Sequence, residues 1–443
     1  MLDDRQHGFL PQKSCCTQMV TYCDSLSLSL NENLRTDVIY LDFSKAFDSV
    51  NHDIILSKLK YQYNINGTLL KFIANYLKDR KQRVVVENEF STLKDVLSGV
   101  PQGSIIGPLL FVLFINDITT CISTGSNIAI YADDTKIWRS IANDDDHKAL
   151  QNDLAMLHDW SISNKMKFNT LKCKVLSVTH LHPPLLGILP EIQYMYEMDG
   201  KILDYCTSEK DLGIHINSKL NWNEHTNFLV AKANQKFGLL RRTCYFVKNV
   251  RRRRALYLVL IRSIFEHCPI VWRPSSKVAV DKIENLQKRA MKWVLNDYSS
   301  WSPEMYLIKC KSLDILPISA RFDLHDLNFF HSVFYKFSPI QLPWYLKPYE
   351  RSRLRSCHLD NLCLVSSVAP KFSASKCYNL TDRINAPRNF ENSFFYRTHL
   401  AWNRLPSELR QTQCRSAFKD EIIKYLWKNL ANIFEVSEDL VPD

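Results

Sequence analysis

The stretch Ile128-Ala129-Ile130-Tyr131-Ala132-Asp133-Asp134-Thr135-Lys136-Ile137-Trp138 constrains this chain more than any other. An apolar run, a Tyr-Ala-Asp-Asp centre and a second apolar, β-branched run make the pattern of two short strands joined by a tight hairpin. Two adjacent carboxylates at such a turn repel one another, and partial burial penalises both. A divalent cation relieves that cost, and Mg²⁺ is typically held by one or two carboxylates together with substrate phosphates. Asp is also an ordinary turn residue, so the pair alone reads more readily as a solvated turn. What decides between the two is whether other residues can join it.

Asp37-Val38-Ile39-Tyr40-Leu41-Asp42-Phe43 reads as a buried strand that ends at a carboxylate. Set beside a strand that turns at Asp133, it would bring three carboxylates together, as phosphoryl transfer on two ions ~3.5–4 Å apart requires. Ser98-Gly99-Val100-Pro101-Gln102-Gly103-Ser104 is a loop in which Gly allows tight backbone conformations and Pro fixes one. It precedes an apolar helix over about 106–118, whose first N–H groups favour a nearby phosphate.

Elsewhere the periodicity predicts helices over about 14–34, 51–59, 69–77 and 145–164. Strand-like segments fall at 83–87, 92–97 and 173–178, and Asp199-Gly200 signals a type I′ hairpin. From about Asn223 the character changes to long basic helices, near 226–242, 251–266 and 280–295. Between Phe228 and Leu295 sixteen Lys and Arg face three Asp and Glu, an excess larger than the +11 of the whole chain. Such concentration is either the footprint of a polyanionic partner or a solvated helical face, and nucleic acid is the favoured reading. Arg241, Arg242, Arg251, Arg252, Arg253, Arg254, Lys288 and Arg289 are its candidate contacts.

No apolar run approaches the ~20 residues of a membrane span, and the acidic opening Met1–His7 does not read as a signal peptide. Thirteen cysteines, an odd number without regular spacing, point to reduced thiols and an intracellular location, nucleus or cytoplasm. Cys357-His358 with Cys363 and Cys377 comes nearest to a zinc pattern but lacks its close paired spacing.

Three blocks now stand in order: Leu41-Asp42-Phe43-Ser44-Lys45-Ala46-Phe47-Asp48, then Gly99-Val100-Pro101-Gln102-Gly103-Ser104 with Gly107-Pro108-Leu109-Leu110-Phe111, then Tyr131-Ala132-Asp133-Asp134. Together they resemble the reverse transcriptase of non-LTR (LINE-type, jockey-like) retrotransposons. Gln6-His7-Gly8-Phe9 looks like the family's finger motif, Trp160 with Asn164 to Phe168 like its palm motif, and Asp211-Leu212-Gly213-Ile214 like its primer grip. Ala401-Trp402-Asn403-Arg404-Leu405-Pro406 is similar to the C-terminal tail of jockey-type elements.

The resemblance implies Asp42, Asp133 and Asp134 as a metal-binding triad for Mg²⁺ (or Mn²⁺), with Phe43 lending a backbone carbonyl. It implies Phe47 as the aromatic beneath the sugar that rejects a 2′-hydroxyl, while a plain core phenylalanine stays open as the competing reading. Pro101, Gln102 and Gly103 would position the template base and the incoming nucleotide. Lys172 would protonate the pyrophosphate leaving group, with Lys167 and Lys174 close by as rivals, and Asp48 is expected to cap a helix.

The implied fold is α+β, a right-hand polymerase: partial fingers and a palm with an antiparallel sheet over 1–222, a basic helical thumb over 223–300, and a mostly helical region over 301–443. The implied function is RNA-directed DNA polymerisation, with RNA template, DNA primer and deoxynucleoside triphosphates as partners and no membrane. A relic that only binds nucleic acid is the alternative. Family members carry more finger sequence, an upstream endonuclease and a Cys-His knuckle, so the chain is expected to be an N-terminally truncated, 3′ portion of an element's reading frame.

Overall fold

A five-stranded sheet carries the first of two units into which the chain divides. The computed structural model describes residues 2–180, 194–348, 362–370 and 389–433, and Cys357, His358 and Cys377 lie outside them. The first unit comprises Met1–Gln18, Glu32–Leu212 and Asn217–Lys219, and the second Met19–Asn31, Gly213–Ile216 and Leu220–Asp443.

Helix α1 (Cys15–Asn31) starts at Ser14, whose hydroxyl accepts from the Thr17 N–H at 3.3 Å. Strand β1 (Arg35–Leu41) leads to α2 (His52–Tyr61), α3 (Gly67–Leu77) and the apolar α4 (Ile106–Ile115). The hairpin of β2 (Asn127–Tyr131) and β3 (Asp134–Ile141) comes next, then α5 (Asp144–Ser163), β4 (Lys174–Val178) and β5 (Asp204–Cys206). Asn143 caps α5 by accepting from the N–H groups of Asp145 and Asp146.

The strand order is β5-β4-β1-β3-β2. All pairings are antiparallel except β5 with β4, so the sheet is mixed at one edge rather than wholly antiparallel. Central β1 is fully buried at Val38 and Ile39, which explains its unbroken apolar run. Ile39 and Leu41 join Leu110, Phe111 and Phe114 of α4 and Leu150, Leu154 and Leu157 of α5 in one core. Each such side chain stabilises the fold by roughly 1.5–3 kcal/mol relative to exposure. The register sets Leu41 opposite Thr135, so β1 ends beside the turn that starts β3.

The strand-like segments at 83–87 and 92–97 form only two-residue pairings, exposed throughout, because no second layer among the described residues covers them. Asp199 and Gly200 both have positive φ, +54° and +70°, as a type I′ turn demands.

The second unit is helical: α6 (Asn223–Thr243), α7 (Val250–Leu260), α8 (Lys277–Leu295), α9 (Pro303–Ser312), α10 (Ile318–Phe334), α11 (Phe394–Asn403) and α12 (Arg415–Ile433). The boundary expected at residue 300 does not separate units. Buried Gln287 of α8 donates to the Tyr306 hydroxyl at 2.9 Å and to the Leu316 carbonyl at 3.1 Å. Glu284 accepts from the Tyr306 hydroxyl and from the Ile318 N–H, and Arg273 pairs with Asp323 and Asp326 at 2.7 Å each. Cutting at 300 would strand these buried polar groups. Among the described residues no helix is long and apolar enough to cross a membrane.

Candidate active site

The β2–β3 turn consists of Ala132 and Asp133, with Tyr131 opposite Asp134. Ala132 holds φ at +58°, the sense a two-residue hairpin needs at its first corner. Glycine is usual there, and alanine bears a steric cost of roughly 1–2 kcal/mol. The segment at 5–8 offsets that cost. The His7 N–H donates to the Ile130 carbonyl at 2.8 Å, and the Ile130 N–H donates to the Arg5 carbonyl at 3.0 Å. Gln6 is fully buried, and its Oε1 accepts from the Ala132 N–H at 3.1 Å and the Gly8 N–H at 2.6 Å. Gly8 lies so close that a Cβ there would sit 2.4 Å from the Ala132 nitrogen. The Gln6–Phe9 block, expected in the fingers by resemblance, is thus a brace on the acidic turn. Sequence reasoning missed this role of Gln6, although an amide two residues before a glycine was visible after a charged opening.

Asp42 follows the last residue of β1 on the same end of the sheet. Its carbonyl accepts from the Asn169 N–H at 2.7 Å, and the Ser44 N–H donates to the Lys167 carbonyl at 2.9 Å. These bonds flank the Phe43–Phe168 bridge, whose alternation turns the Phe43 carbonyl away from that partner. The Phe43 ring stacks on Phe168 with centroids 4.3 Å apart. Asp42 Oδ2 is withdrawn from solvent without a hydrogen-bond partner, with the Lys172 ammonium 3.4 Å away.

A cavity of about 430 Å³ opens here, lined by Asp42, Asp134, Lys136, Lys172, Glu209 and Asp211 among others. The Asp134 carboxyl is pushed up to about 6, by loss of hydration, then by the charges of Asp133, Asp211 and Asp42 against the opposing pull of Lys136. Lys136 and Asp211 form an ion pair that is nearly solvent-free on both sides. Neither was singled out for this contact from the sequence, because they stand on separate segments.

A carboxylate oxygen that accepts no hydrogen bond and has an ammonium 3.4 Å away, beside clustered negative charge, fits a hard divalent cation. Among the described residues no three His, Cys, Asp or Glu side chains already converge into a cage. Mg²⁺ does not need one, since one or two carboxylates suffice when substrate phosphates complete the shell. Asp42 and Asp134 supply such oxygens, with Asp133 adjacent on the turn.

The 98–104 loop is fixed to the segment after β1. The Gly99 N–H donates to the Val50 carbonyl and the Val100 N–H to the Phe47 carbonyl, both at 2.8 Å. Gly99 has φ +92°, and a Cβ there would be 2.8 Å from the Asp48 Cα. Gln102 donates to the Asp48 carboxylate at 3.0 Å, so Asp48 holds the loop and does not cap a helix. Asn51 caps α2 instead, accepting from the Ile54 N–H. Pro101 is half-buried, whereas Gln102 and Gly103 are exposed. Phe47 is half-buried, stacked on Phe111 at 4.3 Å and edge-on to Phe9 at 6.2 Å. It serves the core with one face.

The basic helices separate into two kinds. Arg241, Arg242, Arg251, Arg252 and Arg289 are exposed. Arg253 corrects the expectation of a phosphate contact: it is buried, donates to the carbonyls of Val247 and Trp293, and lies 5.0 Å over the Trp293 ring. Arg254 is bound to Asp314 and the Leu313 carbonyl, and Lys288 to the Trp301 carbonyl at 3.0 Å. These three support the helical unit from within.

Residues 1–230 match the family model of the reverse transcriptase (RNA-dependent DNA polymerase). A probable RNA-directed DNA polymerase from transposon BS of Drosophila melanogaster is 27% identical over 66% of this chain and 32% of its own length. The RNA-directed DNA polymerase from mobile element jockey of Drosophila funebris is 26% identical over 51% of this chain and 24% of its own. The chain therefore spans about a third or less of the curated relatives it matches. Among solved structures, apo telomerase from Candida tropicalis aligns with a TM-score of 0.38 and 10% identity, over 70% of this chain and 50% of that one. The matched segment contains the braced acidic turn, Asp42 and the Gly99–Ser104 loop, and the chain belongs to the reverse transcriptase family.

Proposed function

We propose that the chain is the polymerase core of a non-LTR retrotransposon reverse transcriptase, adding deoxynucleotides to a primer 3′-OH under the direction of an RNA template. The observation that carries this reading is the meeting of Asp42 and Asp134 at one cavity, with Asp42 Oδ2 lacking a hydrogen-bond partner. Asp42, Asp133 and Asp134, with the Phe43 carbonyl, would hold Mg²⁺ or Mn²⁺. Such ions, when bound, activate the attacking oxygen and stabilise the leaving one. Gln102 and Gly103, exposed on a loop fixed by Asp48, would meet the template base and the incoming nucleotide. Phe47, backed by Phe111, would bar a 2′-hydroxyl. Lys172 would deliver a proton to pyrophosphate, supported by its ammonium 3.4 Å from Asp42. In this frame the first unit is fingers and palm, the first helices of the second unit are the thumb, and the protein works inside the cell, in nucleus or cytoplasm.

Primer extension on an RNA template tests the reading. Wild type should incorporate deoxynucleotides with Mg²⁺, Asp133→Asn should not, and ribonucleotides should be poor substrates. Hybrid binding without extension by wild type would favour the relic that only binds nucleic acid.

A further inference from the structure

The segment between α6 and α7 violates ordinary turn chemistry. The Val247 N–H donates to the Cys244 carbonyl at 3.1 Å, closing a β-turn whose two corners are Tyr245 and Phe246. Corners of this kind usually take Pro, Asn, Asp, Ser or Gly. Here two aromatic side chains project, 69% and 66% exposed, with centroids 5.8 Å apart in an edge-to-face pair. Burying either ring would stabilise the protein, so their joint exposure needs another reason.

The flanks supply one. Arg241 and Arg242 close α6, while Arg251 and Arg252 open α7, and all four are exposed, as is Lys248. Cations in the first turn of a helix oppose its dipole, yet α7 has no acidic residue there. No Asp or Glu occurs between Lys232 and Ile264 to neutralise this surface.

Exposed rings set among uncompensated cations match one kind of ligand: a polyanion whose flat apolar faces are free. We infer that Tyr245 and Phe246 form a stacking platform for unpaired bases of a single-stranded nucleic acid, with Arg241, Arg242, Lys248, Arg251 and Arg252 on its phosphates. Duplexes hide their base faces, so the platform discriminates strand state rather than sequence. On the polymerase reading this strand would be template outside the hybrid, but binding itself needs no catalysis.

Fluorescence anisotropy with the full chain tests it, using an unstructured RNA of about 12 nucleotides, its duplex and an abasic strand of equal length. Replacing both rings (Tyr245→Ala with Phe246→Ala) should weaken single-strand binding roughly tenfold or more, since stacking of even one base on the platform is worth about that much. The salt slope should stay unchanged, because phosphate contacts remain. Phe246→Trp should retain affinity, and all variants should melt close to wild type because both rings are mostly exposed. Arg241→Gln with Arg242→Gln should instead flatten the salt slope. The inference is overturned if the double alanine variant binds the single strand like wild type, or loses duplex and abasic binding equally. Failure of the enzyme to extend primers, with these binding results intact, would count against the polymerase reading alone.

Discussion

Replacing Gly8 by alanine should disable the Asp133–Asp134 turn without touching a carboxylate. The added Cβ would lie 2.4 Å from the Ala132 nitrogen and 3.1 Å from both its Cα and the Tyr131 carbonyl carbon. Ordinary contact begins near 3.4 Å, and the obstructing atoms are backbone. Turn and brace must therefore part by about 1 Å, at an overpacking cost of roughly 1–3 kcal/mol. That movement stretches the contact from the Ala132 N–H to Gln6 Oε1, now 3.1 Å. It also relaxes the positive φ of Ala132, on which the direction of Asp133 depends. A displacement of about 1 Å at reacting groups costs on the order of a hundredfold in rate. Single-turnover primer extension with saturating nucleotide should show that loss in the rate constant, with hybrid affinity unchanged. Gly200→Ala is the control: it places alanine at positive φ, +70°, a strain that Gly8→Ala does not carry, but its Cβ meets nothing within 4 Å. It should lower stability by about 1 kcal/mol and leave the rate alone. A Gly8→Ala enzyme that extends at the wild-type rate would refute the bracing role.

Asp24 makes stability depend on pH. Burial pushes its carboxyl up to about 7, although the Tyr345 hydroxyl donates to it at 2.6 Å. The folded protein therefore keeps a proton that the unfolded chain has released, so stability falls as pH rises from about 4 to about 7 and is level above. The shift amounts to roughly 4 kcal/mol, and Asp24→Asn should abolish the slope and raise the melting temperature at pH 8 but not at pH 4. Asp211→Asn removes the carboxylate that pairs with the buried Lys136 ammonium and should cost roughly 3–5 kcal/mol in urea denaturation. Lys136→Met combined with Asp211→Leu should be close to neutral for stability. Arg253→Ala should destabilise by roughly 2–4 kcal/mol through lost bonds to two carbonyls, whereas exposed Arg251→Ala should leave stability within about 0.5 kcal/mol. In hybrid binding only Arg251→Ala should reduce the salt slope, by about one.

The alternation around Tyr131–Asp134 and the apolar run ending at Asp42 carried the sheet's centre and its acidic end, because period-2 patterns and a terminal carboxylate are local signals. The contacts that complete the site are not local. Gln6 meets Ala132 across more than a hundred residues, and a buried amide reads in sequence like any polar loop residue. Lys136 and Asp211 each look like surface charges until strand packing removes their solvent. Charge counting likewise could not tell Arg253, over a tryptophan ring, from Arg251 in solvent. The expected break at 300 failed because Gln287 and Glu284 find their partners beyond it. The apolar segments at 83–97 had strand composition, but no layer among the described residues packs on them, and only two-residue pairings form.

Extension by Asp42→Asn is the most direct test that the cavity at the end of β1 is a nucleotidyl-transfer centre. In single-turnover reactions on an RNA template with Mg²⁺, the variant should lose roughly a thousandfold or more of the wild-type rate, several kcal/mol of transition-state stabilisation. Its affinity for the RNA–DNA hybrid should be preserved, since phosphate contacts lie elsewhere. An Asp42→Asn enzyme that extends primers within about tenfold of wild type, a loss of only 1.4 kcal/mol, would contradict the account.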